Sequence, residues 1–198
     1  MASKPLRDSD VRQAVYRRLL THAQACPNTL VINELGLDHG SCRIDIAVIN
    51  GHIRGVEIKA EADTLNRLPR QVASYGEVVD KALLIVAPKH LERAMVIVPD
   101  WWGIMVAERG ASQTLRFRRI RQERANKRVD PLALARLLWR TEAQAILRGF
   151  EVSDRKLRAP RGTLYELLVE RLPLRQLSQV VRETLKARSA WRDRSPLL

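Results

Sequence analysis

The chain has two cysteines, Cys26 and Cys42, in 198 residues, far apart and without ligand-like spacing. That excludes a disulfide scaffold and a zinc ribbon, and it fits a reducing, cytoplasmic setting in which both thiols are inert. No run approaches the roughly 18 apolar residues of a membrane span. The first residues, MASKPLRDSDVRQ, are polar, so a secretory leader is not expected. There is no internal repeat, no low-complexity tract and no Walker-type phosphate loop, so a solenoid, a disordered tail and an intrinsic motor are set aside. His39, His52 and His90 are dispersed, with no zinc spacing among them.

What is present is positive charge. The formal net charge is +13, and it is uneven. Residues 1–122 carry 18 Lys/Arg against 13 Asp/Glu, whereas 123–198 carry 17 against 9. Such a surface attracts polyanions and releases counterions when phosphates bind, which points to nucleic acid as partner. Arginine on a solvated surface is the plainer reading, and charge by itself supplies no chemistry. Hydrophobic residues at 45% are enough for a globular core.

The pattern along the chain predicts an α/β protein. Apolar residues at Val11, Ala14, Val15, Leu19, Leu20 and Ala23 give a helix over about 10–25, with Asp8 and Ser9 as N-cap candidates. Residues 29–35 form a short β-prone run with Glu34 near its end, and 36–41 a loop. The segment RIDIAVINGHIRGVEIKA alternates with a period of two on both sides of Asn50-Gly51 and reads as a β-hairpin. A two-residue turn would set Ile44 against Glu57. Matching Ile44 and Ile46 with Ile58 and Val56 instead requires a three-residue loop. In that register Asp45, Glu57 and Lys59 share a face, with Asp45 opposite Glu57.

Residues 64–80 predict a helix entered near Pro69, and ALLIVA at 82–87 a strand buried on both faces. A short helix at 89–94, an extended piece at 95–98, a strand at 103–107 and an edge strand at 115–117 follow. Trp101-Trp102 either stack on bases or cap the core. RRIRQERANKRVDP reads as a charged linker, with helices at 131–148, 164–172 and 173–188 beyond it. This divides the chain into a domain over 1–122 and a basic helical module over 123–198. In the module, Arg155, Lys156, Arg158 and Arg161 cluster in one loop, either gripping phosphates or simply covering the sheet.

Two carboxylates and a lysine converging on a sheet need a compensating cation. A hard divalent ion, Mg²⁺ or Mn²⁺, is the natural one, with Asp45 and Glu57 as ligands and the Ile58 carbonyl as a third. Lys59 would orient a water or stabilise charge on phosphorus. The plainer alternative is an amphipathic hairpin with charged residues on its outer face.

The series Glu34, Arg43-Ile44-Asp45, Gly55-Val56-Glu57-Ile58-Lys59 and then Gln71-x-x-x-Tyr75 resembles the PD-(D/E)XK nuclease superfamily. The Gln71/Tyr75 pair is similar to the helix motif of RecB-like exonucleases. The longer string from VINELG to the WWGI segment resembles a family of bacterial and phage-borne members, and that likeness extends through the LLWR stretch. The superfamily likeness covers about residues 10–107. It implies a restriction-endonuclease-like αβββαβ core with a C-terminal all-helical extension, and a Mg²⁺-dependent deoxyribonuclease. Its implied metal ligands are Glu34, Asp45, Glu57 and the Ile58 carbonyl, and its implied catalytic group is Asp45, Glu57, Lys59, Gln71 and Tyr75. Beside this set, Arg43 and Arg67 either face phosphate or are solvated surface residues. Roles in DNA repair or phage defence, and a protein partner or a second copy of the chain, are compatible with it. The proline that names the superfamily is replaced by Ile44. A nucleic-acid-binding module of the same fold without turnover is the alternative.

Overall fold

The computed structural model describes residues 5–110 and 114–188. Residues 1–4, within the N-terminus expected to be polar, lie outside the described residues. Among the described residues one mixed sheet of six strands forms the centre, in the order β1-β2-β3-β4-β5-β6. The strands are β1 (Leu30–Leu37), β2 (Cys42–Ile49), β3 (Ile53–Lys59), β4 (Lys81–Val86), β5 (Gly103–Arg109) and β6 (Leu115–Arg121). The first three are antiparallel, β3, β4 and β5 are parallel, and β6 returns antiparallel. The α/β class read from the sequence is what the structure has.

The hairpin turned out as hydrophobic matching required. Ile46 pairs with Val56 and Ile49 with Ile53, leaving Asn50, Gly51 and His52 as a three-residue loop. The ladder stops at Ile46–Val56. Beyond it the Asp45 carboxylate, not a backbone carbonyl, accepts the Ile58 N–H at 2.7 Å, so the side chain takes over where the strands part.

Strict alternation fails at this point. Ile46 and Val48 pack on one face of the sheet, while Ile44 and Cys42 belong to the other with Ala47 and Ile49. The neighbouring strand departs at the same level. Glu34, in register with Asp45, has φ 57, a left-handed conformation that costs a non-glycine residue about 1 kcal/mol or more. The expectation that Ile44 and Ile46 share a face is therefore corrected: both strands kink at the Asp45 level.

Helices cover both faces. On one lie α1 (Asp8–Arg18) and α2 (Thr21–Ala25), burying Val11, Val15 and Leu20 against Ile46, Val48, Val56, Ile58 and Ile85. The single helix expected over 10–25 is broken at Leu19 and Leu20, and Asp8 and Ser9 lie inside α1, with Arg7 as N-cap. The Arg7 N–H donates to the Asp10 carboxylate at 3.0 Å. On the other face lie α3 (Leu68–Val78) and α4 (Leu91–Ile97), joined by α5 (Pro131–Ala135), α6 (Arg140–Arg148), α7 (Asp154–Leu157), α8 (Arg161–Arg171) and α9 (Leu174–Ala187). One continuous apolar cluster runs from Ile32 and Leu84 of the sheet to Leu177 and Leu185 of α9.

Three further expectations are corrected. Residues 95–97 are helical, because the apolar run continues the turn that begins at Leu91. The helix expected over 131–148 is two helices, α5 and α6. The charged linker begins as strand, since Arg118–Arg121 belong to β6, and the part that follows is clamped. Glu123 pairs with Arg54 at 2.9 Å, and the Asn126 amide donates to the Gly76 and Val79 carbonyls at 2.8 and 2.9 Å. Among the described residues no helix is long and apolar enough to cross a membrane.

Candidate functional site

Where β2 and β3 part, α3 crosses the opening with Gln71 and Tyr75 one turn apart on its inner face. Pro69 lies in the first turn of α3, where its missing N–H is harmless. Tyr75 is fully buried, and its ring lies 2.8–2.9 Å from the point where a Cβ on Gly55 would sit. The absence of a side chain at Gly55 is thus what lets α3 press this close to β3. Trp102 packs on the other side of Tyr75 with ring centroids 5.1 Å apart and is itself fully buried. Of the two readings for Trp101-Trp102, core packing is the one realised for Trp102.

Glu57 is the centre of a network. It has no exposed surface, yet three donors converge on it: Lys59 Nζ and Gln71 Nε2 on Oε1, each at 2.5 Å, and the Tyr75 hydroxyl on Oε2 at 2.6 Å. A buried carboxylate survives only with such compensation. Burial, reinforced by the charges of Glu57 and Asp45, pushes the Tyr75 phenol well above its ordinary range, so it stays a donor. The Gln71 carbonyl oxygen is buried and without a hydrogen-bond partner.

Asp45 sits at the lip of the same network. One of its oxygens accepts the Ile58 N–H, and the other lies 3.6 Å from the Arg12 guanidinium. Burial first, and then the charge of Glu57, raise its carboxyl from 3.8 to about 7, against the opposing pull of the Ile58 N–H, Arg12 and Lys59. Glu34 is held away by cations, with Arg12 and Arg43 each at 3.3 Å.

These groups open into a cleft of about 420 Å³. Its walls include Glu34, Asp45, Glu57, Ile58, Lys59 and Gln71, and its rim carries Arg12, Arg43, Arg67 and Arg70. The residues singled out from the sequence at Glu34, Arg43, Asp45, Glu57, Ile58, Lys59, Arg67 and Gln71 are therefore brought to one cleft, with Tyr75 behind it. Arg155, Lys156, Arg158 and Arg161 do not line it. They are exposed on α7 and the first turn of α8.

Sequence reasoning missed Arg12 and Arg70. Arg12 lies on α1, donates to the Asp45 carbonyl at 2.7 Å and is held by Asp8 at 2.9 Å. The Asp8/Arg12 spacing of four was the one local signal that this arginine is fixed in place. Arg70 lies three residues after Arg67, near enough in sequence to have been included with it.

Hard oxygens at Asp45 and Glu57 suit Mg²⁺ in kind. Even so, among the described residues no group of three or more His, Cys, Asp and Glu side chains is gathered as a metal site. Both Glu57 oxygens already accept hydrogen bonds from the protein, and Glu34 is engaged by arginines.

Comparison with known proteins corrects the identity expected from the sequence. The model of the family described as bacteriophage P4 protein cII matches residues 1–195. A curated relative, Protein cII of Enterobacteria phage P4, is 26% identical over 183 residues, covering 92% of this chain and 68% of its own length. No solved structure matches. The assignment to the PD-(D/E)XK superfamily, the Mg²⁺-dependent deoxyribonuclease activity and the hydrolase and repair or phage-defence roles attached to it are overturned by these matches, which are to a phage protein cII and not to a nuclease. The physical reason for the misreading lies in the network itself: a carboxylate buried beneath a helix needs lysine, amide and hydroxyl donors whether or not it cuts a phosphodiester. With residues 1–195 matched, this chain belongs to the bacteriophage P4 protein cII family.

Proposed function

We propose that this chain is a nucleic-acid-binding protein that seats a phosphate of DNA in the cleft between α1, β2 and α3. The observation that carries this reading is the state of Arg67 and Arg70. Both line the cleft, both are exposed, and among the described residues neither has an ion pair, whereas Arg12 and Arg43 are tied to Glu34. Uncompensated guanidiniums at a concave rim are suited to bidentate contact with phosphate oxygens. Arg67 is the N-cap residue of α3 and Arg70 lies in its first turn, so the two guanidiniums stand at the same end of the helix. The net charge of +13 supplies the longer-range attraction.

A divalent cation belongs to this proposal in a supporting role. Asp45 and Glu57 are the residues that would hold Mg²⁺ or Mn²⁺, which commonly binds through one or two carboxylates and keeps several waters. The cation would offset the burial and the Glu57 charge that raise the Asp45 carboxyl to about 7, and it would supply positive charge for a phosphate in the cleft. Lys59 and Gln71 hold Glu57 in place, and Tyr75 keeps water from behind it.

The test is fluorescence anisotropy with labelled duplex and single-stranded DNA over a salt series, in EDTA and in Mg²⁺. Wild type should bind with a steep salt dependence, and Arg67→Ala/Arg70→Ala should lower the slope of log K against log salt by about 2. Binding by the double variant with unchanged affinity and slope would remove the cleft from consideration.

A further inference from the structure

Away from the cleft, at the start of α6, lies a large exposed aromatic side chain with an unusual setting. Trp139 is 53% exposed although the Arg188 guanidinium stacks over its ring, 4.2 Å from the centroid. One indole face is thus covered, and the exposed area lies on the opposite face and the edge. The Arg188 side of the pair is fixed: Glu142 takes its Nε and one Nη at 2.7 Å each, and the Leu137 carbonyl takes that Nη at 2.7 Å. Glu142 also accepts the Trp139 backbone N–H at 2.7 Å, so one carboxylate orients both members of the stack. The Tyr165 hydroxyl donates to the Leu138 carbonyl at 2.9 Å and anchors the preceding residue.

Beside this platform runs positive charge. Arg140 follows Trp139 and donates to the Arg158 carbonyl at 2.9 Å, tying the α7 turn to the start of α6. Gln144 makes a second tie through the Leu157 carbonyl at 2.8 Å. Arg140, Arg155, Lys156, Arg158 and Arg161 are all exposed on this ridge, and Asp154 is the one carboxylate within the α7 turn.

We propose that Trp139, backed by Arg188, is a stacking platform for an unpaired base, and that the Arg140–Arg158–Arg161 ridge follows the phosphates of the same single strand. An aromatic face beside a track of cations is how sequence-tolerant single-strand sites are made, because every base offers a π-face. Duplex DNA keeps its bases stacked inside and offers the ridge only phosphates, so the platform discriminates by strandedness. The proposal takes its partner class from the nucleic-acid reading above, but it uses a different surface and different residues.

The experiment compares full-length wild type, Trp139→Ala, Trp139→Phe and Arg67→Ala/Arg70→Ala by anisotropy on an oligo-dT strand and on a duplex of equal length. Thermal melts check that each variant is folded. The expected result is about a tenfold loss of single-strand affinity in Trp139→Ala, substantial recovery in Trp139→Phe, and unchanged duplex affinity in both. Wild-type single-strand affinity in a folded Trp139→Ala variant would overturn the platform and leave the cleft reading standing. An equal loss on strand and duplex would overturn it too, by reducing Trp139 to a structural support. A wild type that binds neither DNA would overturn both readings, and an effect of Arg67/Arg70 alone would leave only the cleft.

Discussion

Asp45→Asn isolates the electrostatic cost of the cleft. In the folded protein the Asp45 carboxyl is raised from 3.8 to about 7, chiefly by burial and then by the charge of Glu57. A carboxyl raised on folding binds its proton more tightly in the native state than in the unfolded chain. Its contribution is therefore neutral below about pH 4, becomes steadily less favourable as pH rises towards 7, and is fully unfavourable above that. The displacement corresponds to an ionisation penalty on the order of 4 kcal/mol at alkaline pH. Asparagine keeps an oxygen to accept the Ile58 N–H, bonded at 2.7 Å in the native chain, and never ionises. The 3.6 Å approach to Arg12 acts on the ionised carboxylate alone and is already contained in the raised value. Urea denaturation of both proteins from about pH 4 to pH 8 is the assay. Asp45→Asn should gain on wild type continuously over that window, by a few kcal/mol in all. Mg²⁺ at about pH 8 should then stabilise wild type more than the variant, since a bound cation reverses the penalty. A stability difference that stays level across the window would refute the assignment of a raised carboxyl, and with it the electrostatic case for a cation at this position.

Two other perturbations test how the site is built. Gly55→Ala puts a Cβ 2.8 and 2.9 Å from the Tyr75 ring and 3.4 Å from Ile44 Cγ2, where neither neighbour has room to move. It should destabilise the fold by about 1–3 kcal/mol, read as a lowered denaturation midpoint, and a wild-type midpoint would mean that α3 is free to shift. Glu142→Ala takes away the carboxylate that holds the buried Arg188 and the Trp139 N–H. A loss on the order of 3 kcal/mol is expected from breaking this largely buried pair, whereas a loss below about 1 kcal/mol would show it behaving as a surface ion pair.

Much of the scaffold was legible because each signal was local. Asn50-Gly51 flanked by alternating apolar residues fixed a turn, and hydrophobic matching then selected the three-residue loop that the structure has. ALLIVA could be a strand buried on both faces because no polar group interrupts it, and Pro69 marked where α3 begins. The kink at Glu34 and Asp45 was not legible. Period-two reasoning assumes a ladder that continues, whereas here a carboxylate substitutes for a backbone acceptor and turns Ile44 to the opposite face from Ile46. The clamped segment at 122–130 was missed for a related reason. Its charged composition reads as a solvated linker, but Glu123 and Asn126 spend their polar groups on Arg54 and on carbonyls near the end of α3, contacts made across more than forty residues of chain.

The site shows the same limit at a higher level. Strand register identified Asp45, Glu57 and Lys59 as neighbours, and the resemblance added Gln71 and Tyr75: Glu57, Lys59, Gln71 and Tyr75 do hydrogen-bond together, and Asp45 stands beside them. Spacing could not say what the meeting is for. Burying Glu57 under α3 requires donors from the strand below and the helix above, and lysine, glutamine and tyrosine meet that requirement as a matter of stability. The residues that carry information about a partner are the ones stability does not use. Among the described residues Arg67 and Arg70 line the cleft without an ion pair, and Trp139 leaves an indole face to solvent although Arg188 and Glu142 hold it still. A folded core gains nothing from an unpaired arginine at the cleft or from the open face of the indole. Both suit the proposed partner, with phosphate for the arginines and an unpaired base for the indole, and for that reason the proposed functional tests act on Arg67, Arg70 and Trp139 and leave the buried network intact.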